Sequence, residues 1–127
     1  MAIESYDPHV PPDALAWLET DEKQRVELVK AYHHSIGEMS QEVVHSTLHV
    51  IVENQAIMGD KMPVKEKLRQ LMAQGLDRHD AIHAISIALV KHLDRLSRTI
   101  TPQGDQEERY FAEVRRMSAR KYMAMRS

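Results

Sequence analysis

Apolar side chains recur every three or four residues along most of the chain, which is the spacing of one face of an α-helix. No segment alternates apolar and polar residues for long, as a half-buried β-strand would. Glycines are rare and follow the apolar segments, at positions where helices commonly end. The pattern therefore predicts an all-α fold, a helical bundle of four main helices with additional short helices.

Polar caps, prolines and glycines divide this pattern into segments. A lead over residues 1–19 contains three prolines and a short helix, and Thr20 offers an N-cap for the helix that follows. Ser40 and Asp77 are candidate N-caps for the two helices that contain most of the histidines. The helical segments predicted after the lead are residues 21–36, 41–58, 63–74, 78–98 and 106–125.

The chain length of 127 residues predicts one domain over residues 1–127. A break over residues 99–105 separates its body from a basic C-terminal helix over residues 105–127. From Arg109 onward six residues are basic and one is acidic, which leaves 11 basic and 18 acidic residues in the first 108. This asymmetry favours docking of the basic helix on the body, a homo-oligomer, or an acidic protein partner. Nucleic acid is disfavoured as a partner, because the aromatic residues of this helix follow its apolar stripe.

Composition narrows the class of protein and its available chemistry. Hydrophobic residues make up 43% and charged residues 28%, as in soluble globular proteins. No apolar run approaches the roughly 20 residues of a membrane span, and the N-terminus lacks the apolar core of a signal peptide. We therefore expect a cytoplasmic protein without a membrane partner. The absence of cysteine leaves imidazole and carboxylate as the available metal ligands.

Two groups of polar side chains at four-residue spacing lie within apolar stretches. His45, His49 and Glu53 form one ridge, and His79 and His83 form the other. A four-residue step returns to within about 40° of the same helix face, and side chains so spaced have Cβ atoms about 5–6 Å apart. Apolar residues flank both ridges, which is typical of metal sites built between the helices of a bundle.

The two ridges predict a metal site with five candidate ligands. If their helices pack antiparallel, the residues that meet are His49, Glu53, His79 and His83, with His45 beside them. Glu53 is the only well-placed carboxylate, which disfavours a di-iron carboxylate centre. A mononuclear, imidazole-rich site fits better, with zinc favoured over iron or nickel as the ion.

The two motifs, H-x3-H-x3-E-x-Q and R-H-x-A-x-H, resemble those of an uncharacterised bacterial family of small helical proteins. The matching residues are His45, His49, Glu53, Gln55, Arg78, His79, Ala81 and His83. The resemblance covers roughly residues 40 to 98 and implies that these polar residues belong together. On this basis Gln55 and Arg78 are candidates to orient Glu53 or to hold an anion at the ion.

Three classes of function stay open: a structural or regulatory metal-binding protein, a metal-free helical interaction or oligomerisation module, and a small metalloenzyme of hemerythrin-like or hydrolytic type. The sequence contains H-x3-E followed by H-x3-H, as in hemerythrins, but lacks their closing H-x4-D after His92. It contains no nucleophile elbow or glycine-rich phosphate loop, and it does not decide whether the protein is an enzyme. His33 and His34 are predicted to cap the carbonyls that end their helix.

Overall fold

Helices account for most of the computed structural model, which describes residues 2–37, 42–98 and 103–126. Their bounds are α1 Ala14–Glu19, α2 Glu22–Ser35, α3 Glu42–Ile57, α4 Val64–Ala73, α5 Arg78–Arg98, α6 Gln103–Arg116 and α7 Ala119–Arg126. A turn of 3-10 helix, Gly59–Lys61, lies between α3 and α4. Because these ranges contain no strand, the predicted all-α class is confirmed.

Aspartates provide the N-caps that start several helices. The Asp21 carboxylate accepts from the Gln24 backbone N–H at the start of α2, and the Asp77 carboxylate accepts from the Asp80 N–H at the start of α5. The prediction that Thr20 caps α2 is wrong. Thr20 instead ends α1, where its hydroxyl donates to the Ala16 carbonyl. The predicted cap Ser40 lies outside the described residues.

The C-terminal region contains two helices where the sequence predicted one. Residues 103–105, assigned to the predicted break, are helical in α6, while residues 99–102 lie outside the described residues. The chain then leaves helical geometry between α6 and α7. There the ammonium group of Lys67 donates to the carbonyls of Arg115 and Met117, which therefore do not continue a helical ladder. The Ala119 backbone N–H donates to the Gln74 side chain, which fixes the start of α7.

The end of α4 shows why a glycine follows it. The Leu76 N–H donates to the Leu71 carbonyl and the Gly75 N–H to the Met72 carbonyl, the two bonds of a Schellman motif. Gly75 has φ of 110°, in the left-handed region that costs other residues energy. The motif turns the chain so that the buried Leu76 leads directly into α5.

Helices α2, α3 and α5 lie side by side, and neighbours run antiparallel. His33 near the end of α2 contacts His45 near the start of α3, while Arg25 near the start of α2 donates to Asn54 near the end of α3. The α3–α5 pair has the same arrangement, with Glu53 late in α3 paired with the residue that begins α5. This antiparallel order brings the predicted histidine ridges to one level of the bundle.

Two apolar clusters lie on either side of the histidines. The smaller one joins the N-terminal lead, α1, α2 and α3 through Tyr6, Trp17, Leu28, Val29 and Val50. The larger one extends from Val52 of α3 through α4, α5, α6 and α7. Val50 and Val52 point to opposite clusters because two residues turn a helix by about 200°. The histidine ridge of α3 therefore lies at the seam between the clusters.

The basic C-terminal helix packs against the body of the protein. Tyr122 and Ala119 are buried members of the larger apolar cluster, and both Tyr122 and Arg126 donate to the Asp80 carboxylate on α5. Binding of an acidic partner, or of a second copy of the chain, by this helix stays a prediction. Within the described ranges no helix is both long and apolar enough to cross a membrane.

Candidate metal centre

Five histidines from three helices converge at the level where α2, α3 and α5 meet. One nitrogen of each lies within 4.8 Å of one nitrogen of every other, and the residues are His33, His45, His49, His79 and His83. The structure thus brings together the four histidines predicted from the sequence and adds His33. His33 and His49 are buried, whereas His45, His79 and His83 are partly exposed. The group therefore has a closed end and an end nearer to solvent.

The nitrogen atoms that face one another are predominantly Nε2. The Nε2 of His45 lies 3.0 Å from that of His33 and 3.1 Å from that of His83. The Nε2 of His83 in turn lies 3.2 Å from that of His49. The His79 ring completes the group, with its centroid 4.3 Å from that of His83 and 5.0 Å from that of His49.

The tautomer of His33 follows from its hydrogen bond within α2. Its Nδ1 lies 2.9 Å from the Val29 carbonyl oxygen, one turn earlier in the helix. A carbonyl oxygen can only accept, so Nδ1 carries the hydrogen. In the neutral ring the Nε2 lone pair then faces the other histidines.

The tautomer of His49 is fixed in the same sense by Tyr6. The Tyr6 hydroxyl donates to Glu53 Oε2 at 2.6 Å, so its oxygen is left to accept from His49 Nδ1, 3.2 Å away. The Nε2 of His49 therefore also presents a lone pair to the group. A hydrogen bond that orients the remote ring nitrogen in this way is the usual support of a metal-ligating histidine.

Glu53 lies one hydroxyl group away from the histidines, and its carboxylate is occupied by Arg78. The guanidinium binds it through two hydrogen bonds of 2.7 and 2.8 Å, and both side chains are almost completely buried. Arg78 also donates to the Pro8 carbonyl. Glu53 is not among the potential ligand atoms that converge, whereas Arg78 orients Glu53, the arrangement expected for it from the sequence.

Arg78 and Tyr6, the two side chains bonded to Glu53, both have raised pKa values. Burial alone would lower the pKa of Arg78, but the hydrogen bonds and the charge of Glu53 raise it overall. Burial, and then the negative charge of Glu53, raise the pKa of Tyr6 far above its usual value. Arg78 is therefore charged and Tyr6 neutral across the physiological range, as the hydrogen-bond directions require.

Gln55 lies in a different environment from the one expected. Its side-chain oxygen accepts from the Tyr110 hydroxyl of α6, which contributes to the α3–α6 contact. On α3, Gln55 is two residues beyond Glu53, so it points about 200° away from it. The structure does not bring Gln55 together with the histidine group.

Burial keeps the central histidines neutral. Burial first, and then repulsion by the other histidines, lower the pKa of His49 far below its ordinary value. The same causes, with a contribution from the charge of Arg126, lower the pKa of His83 to about 3. Both rings are therefore unprotonated at pH 7, and their lone pairs are available to a cation.

The N-terminal lead covers part of the group with aromatic rings. The His9 ring lies 5.6 Å from that of His79, and the Tyr6 ring lies 6.0 Å from that of His49. Tyr32 of α2 packs edge-on against both His33 and His79. The lead, which carries little periodicity in sequence, thus forms one wall of the site.

His33 is the member of the group that sequence reasoning missed. It was assigned to capping at the end of α2, but it is buried and bonds to a carbonyl within the helix. The signal available was its place in the apolar stripe of α2, four residues after Val29 and seven after Val26. A histidine in such a stripe faces the core rather than the helix end.

No protein-family model matches the sequence, and no curated protein and no solved structure is significantly similar to it. The geometry of the five histidines is therefore the basis for the function proposed below.

Proposed function

We propose that the protein binds one transition-metal ion through His33, His45, His49, His79 and His83. The observation that carries the proposal is the convergence of five imidazole nitrogens within 4.8 Å of one another. Histidines scattered by chance over helix surfaces do not share a centre, and two of these are held with Nε2 lone pairs toward it.

Electrostatics support a cation among these rings. Neutral imidazole nitrogens at 3.0–3.2 Å repel each other when both present lone pairs, and a hydrogen can relieve only one contact at a time. His45 and His83 each face two partners by their Nε2 atoms. A single ion bound to all the lone pairs stabilises every contact simultaneously.

The donor set bears on the choice of metal. Imidazole suits zinc, copper, iron and nickel, while the lack of a carboxylate ligand in this group, among the described residues, disfavours calcium and magnesium. Zinc, favoured from the sequence, most often takes four ligands in structural sites. Five converging imidazoles exceed that number, so iron(II) and nickel(II), which accept five or six ligands, become the preferred candidates.

The test is metal content of untagged protein purified without chelator. We expect about one ion per chain, and His49→Ala and His33→Ala should each weaken binding by more than about 100-fold, because loss of a ligand exceeds the roughly 10–100-fold cost of losing an outer partner. His34→Ala is the matched control, since His34 is the exposed neighbour of His33 and lies outside the group. Absence of metal from protein that is folded and has been offered iron, nickel and zinc would leave a metal-free interaction module as the function.

Removal of the Tyr6 hydroxyl should weaken metal binding without removing a ligand. Tyr6→Phe deletes the acceptor that holds the Nδ1 hydrogen of His49, so we expect a loss of roughly 10- to 100-fold in affinity. Tyr110→Phe is the control, because it also deletes a buried hydroxyl but one bonded to Gln55, away from the histidines. Titration with a competing chelator measures both affinities. Equal affinities for the two variants would contradict the role assigned to Tyr6.

A further inference from the structure

We infer that the ion bound by the five histidines keeps one coordination position for a small anion. The inference rests on the proposed metal site. It adds to the binding of an ion the reversible binding, by that ion, of a ligand of two or three atoms. Three features of the group support it: the spacing of the nitrogens, the charge of the donors and the exposure of one end.

The nitrogen spacing fits the edges of an octahedron. With metal–nitrogen bonds of about 2.1 Å, neighbouring ligands are about 3.0 Å apart in an octahedron and about 3.4 Å apart in a tetrahedron. Two of the Nε2 pairs, 3.0 and 3.1 Å apart, are nearer to the octahedral value, and the third, at 3.2 Å, lies midway between the two values. An ion that the five histidines held in octahedral geometry would therefore have one of its six positions left for another ligand.

The charge of the donor set makes an anion the preferred sixth ligand. Five neutral imidazoles leave the full charge of a divalent ion uncompensated, and an uncompensated charge in a partly buried site is unfavourable. Within the described ranges the nearby carboxylates have other partners. Glu53 is paired with Arg78, Asp80 accepts from Tyr122 and Arg126, and Asp7 lies at the solvent edge bonded to His9. The charge of Arg126 also acts on His83, and because Arg126 is paired with the Asp80 carboxylate, this pair leaves the charge of the ion uncompensated.

The exposure of the group sets where such a ligand enters and how large it can be. His33 and His49 are buried, whereas His45, His79 and His83 are partly exposed, so a ligand would enter from the end that these three form. The rings at this end are in contact, with centroids 4.3 and 4.7 Å apart. Rings in contact at this end would obstruct an organic substrate more than a ligand of few atoms.

Azide titration of the cobalt(II)-loaded protein tests the inference. Tetrahedral cobalt(II) absorbs visible light strongly, whereas five- and six-coordinate cobalt(II) absorbs weakly. We expect one cobalt per chain, a weak spectrum, and a spectral change that saturates at one azide per cobalt. One cobalt per chain with a strong tetrahedral spectrum, or with a spectrum unchanged by a large excess of azide, would overturn the inference and leave the metal site standing. Failure to bind cobalt would overturn both.

A charge variant separates anion binding from metal binding. Arg126→Ala should weaken azide binding by roughly two- to fivefold, the effect of an exposed charge, without weakening cobalt binding. Arg120→Ala is the matched control, because Arg120 is exposed on the same helix α7. Equal azide affinity in the two variants would contradict the electrostatic basis of the inference.

Discussion

Glu53→Ala should destabilise the metal-free protein by about 3–5 kcal/mol, the cost of breaking a buried ion pair from one side. The substitution leaves the Arg78 guanidinium charged and buried, without its two hydrogen bonds to the carboxylate but with that to the Pro8 carbonyl. It also removes the acceptor of the Tyr6 hydroxyl. Urea unfolding followed by circular dichroism, in the presence of a chelator, measures the loss apart from any bound metal.

The matched control is Glu66→Ala, which breaks an exposed pair with Arg69 on α4 and should lower stability far less, because exposed ion pairs are screened by solvent. Replacing both members of the buried pair, Glu53→Met with Arg78→Met, should recover much of the stability, because no isolated charge is left inside. A loss for Glu53→Ala no larger than that for Glu66→Ala would show that the buried pair does not stabilise the fold.

The same variant separates two roles for Glu53. The sequence predicted it as a metal ligand, whereas the structure pairs it with Arg78 and connects it to His49 through the Tyr6 hydroxyl. A ligand role would make the variant lose metal as completely as His49→Ala does. An orienting role, transmitted by Tyr6, predicts the smaller loss expected of Tyr6→Phe.

Helix geometry explains why the positions of four of the histidines could be predicted from the sequence. His45 and His49 are one turn apart, as are His79 and His83, and each pair stays on one face. Because α3 and α5 are antiparallel neighbours, these pairs meet. The four-residue spacing and the apolar flanks therefore place four of the five histidines together once the two helices pack antiparallel.

The same geometry explains why Glu53 does not join them. Eight residues separate His45 from Glu53, a rise of about 12 Å and a drift of about 80° around the helix. Side chains so far apart along one helix do not easily reach an ion whose ligands lie within 4.8 Å of one another. Glu53 instead lies level with the start of α5, where Arg78 is the neighbouring residue.

The remaining parts of the site depend on tertiary contacts that no local pattern encodes. His33 reaches the group because α2 packs antiparallel on α3. Tyr6 reaches it because the lead folds back over these helices, with its backbone held by bonds such as that from the Ile3 N–H to Thr20 Oγ1. Prolines in the lead predicted an extended chain, but not its path across the bundle.

Acid should destabilise the metal-free protein because His49 and His83 are held neutral when folded. Their folded pKa values lie below the value of about 6.5 expected after unfolding, with that of His83 at about 3. The unfolded chain thus binds more protons below pH 6.5, so the stability present above that pH is lost as the pH falls toward 3. Two such groups give a loss of about 2–4 kcal/mol between pH 7 and pH 5, after allowance for the partial exposure of His83.

The measurement is urea unfolding at several pH values with chelator present. The double variant His49→Gln with His83→Gln should lose most of this slope, because neither amide titrates. His34→Gln should keep it, since His34 is exposed and lies outside the group. Parallel stability curves for the double variant and the unmodified protein would show that the two rings are not held neutral. An ion would then have to displace protons from these two rings. This would lower the affinity of the protein for the ion, because protons compete with metals for imidazole.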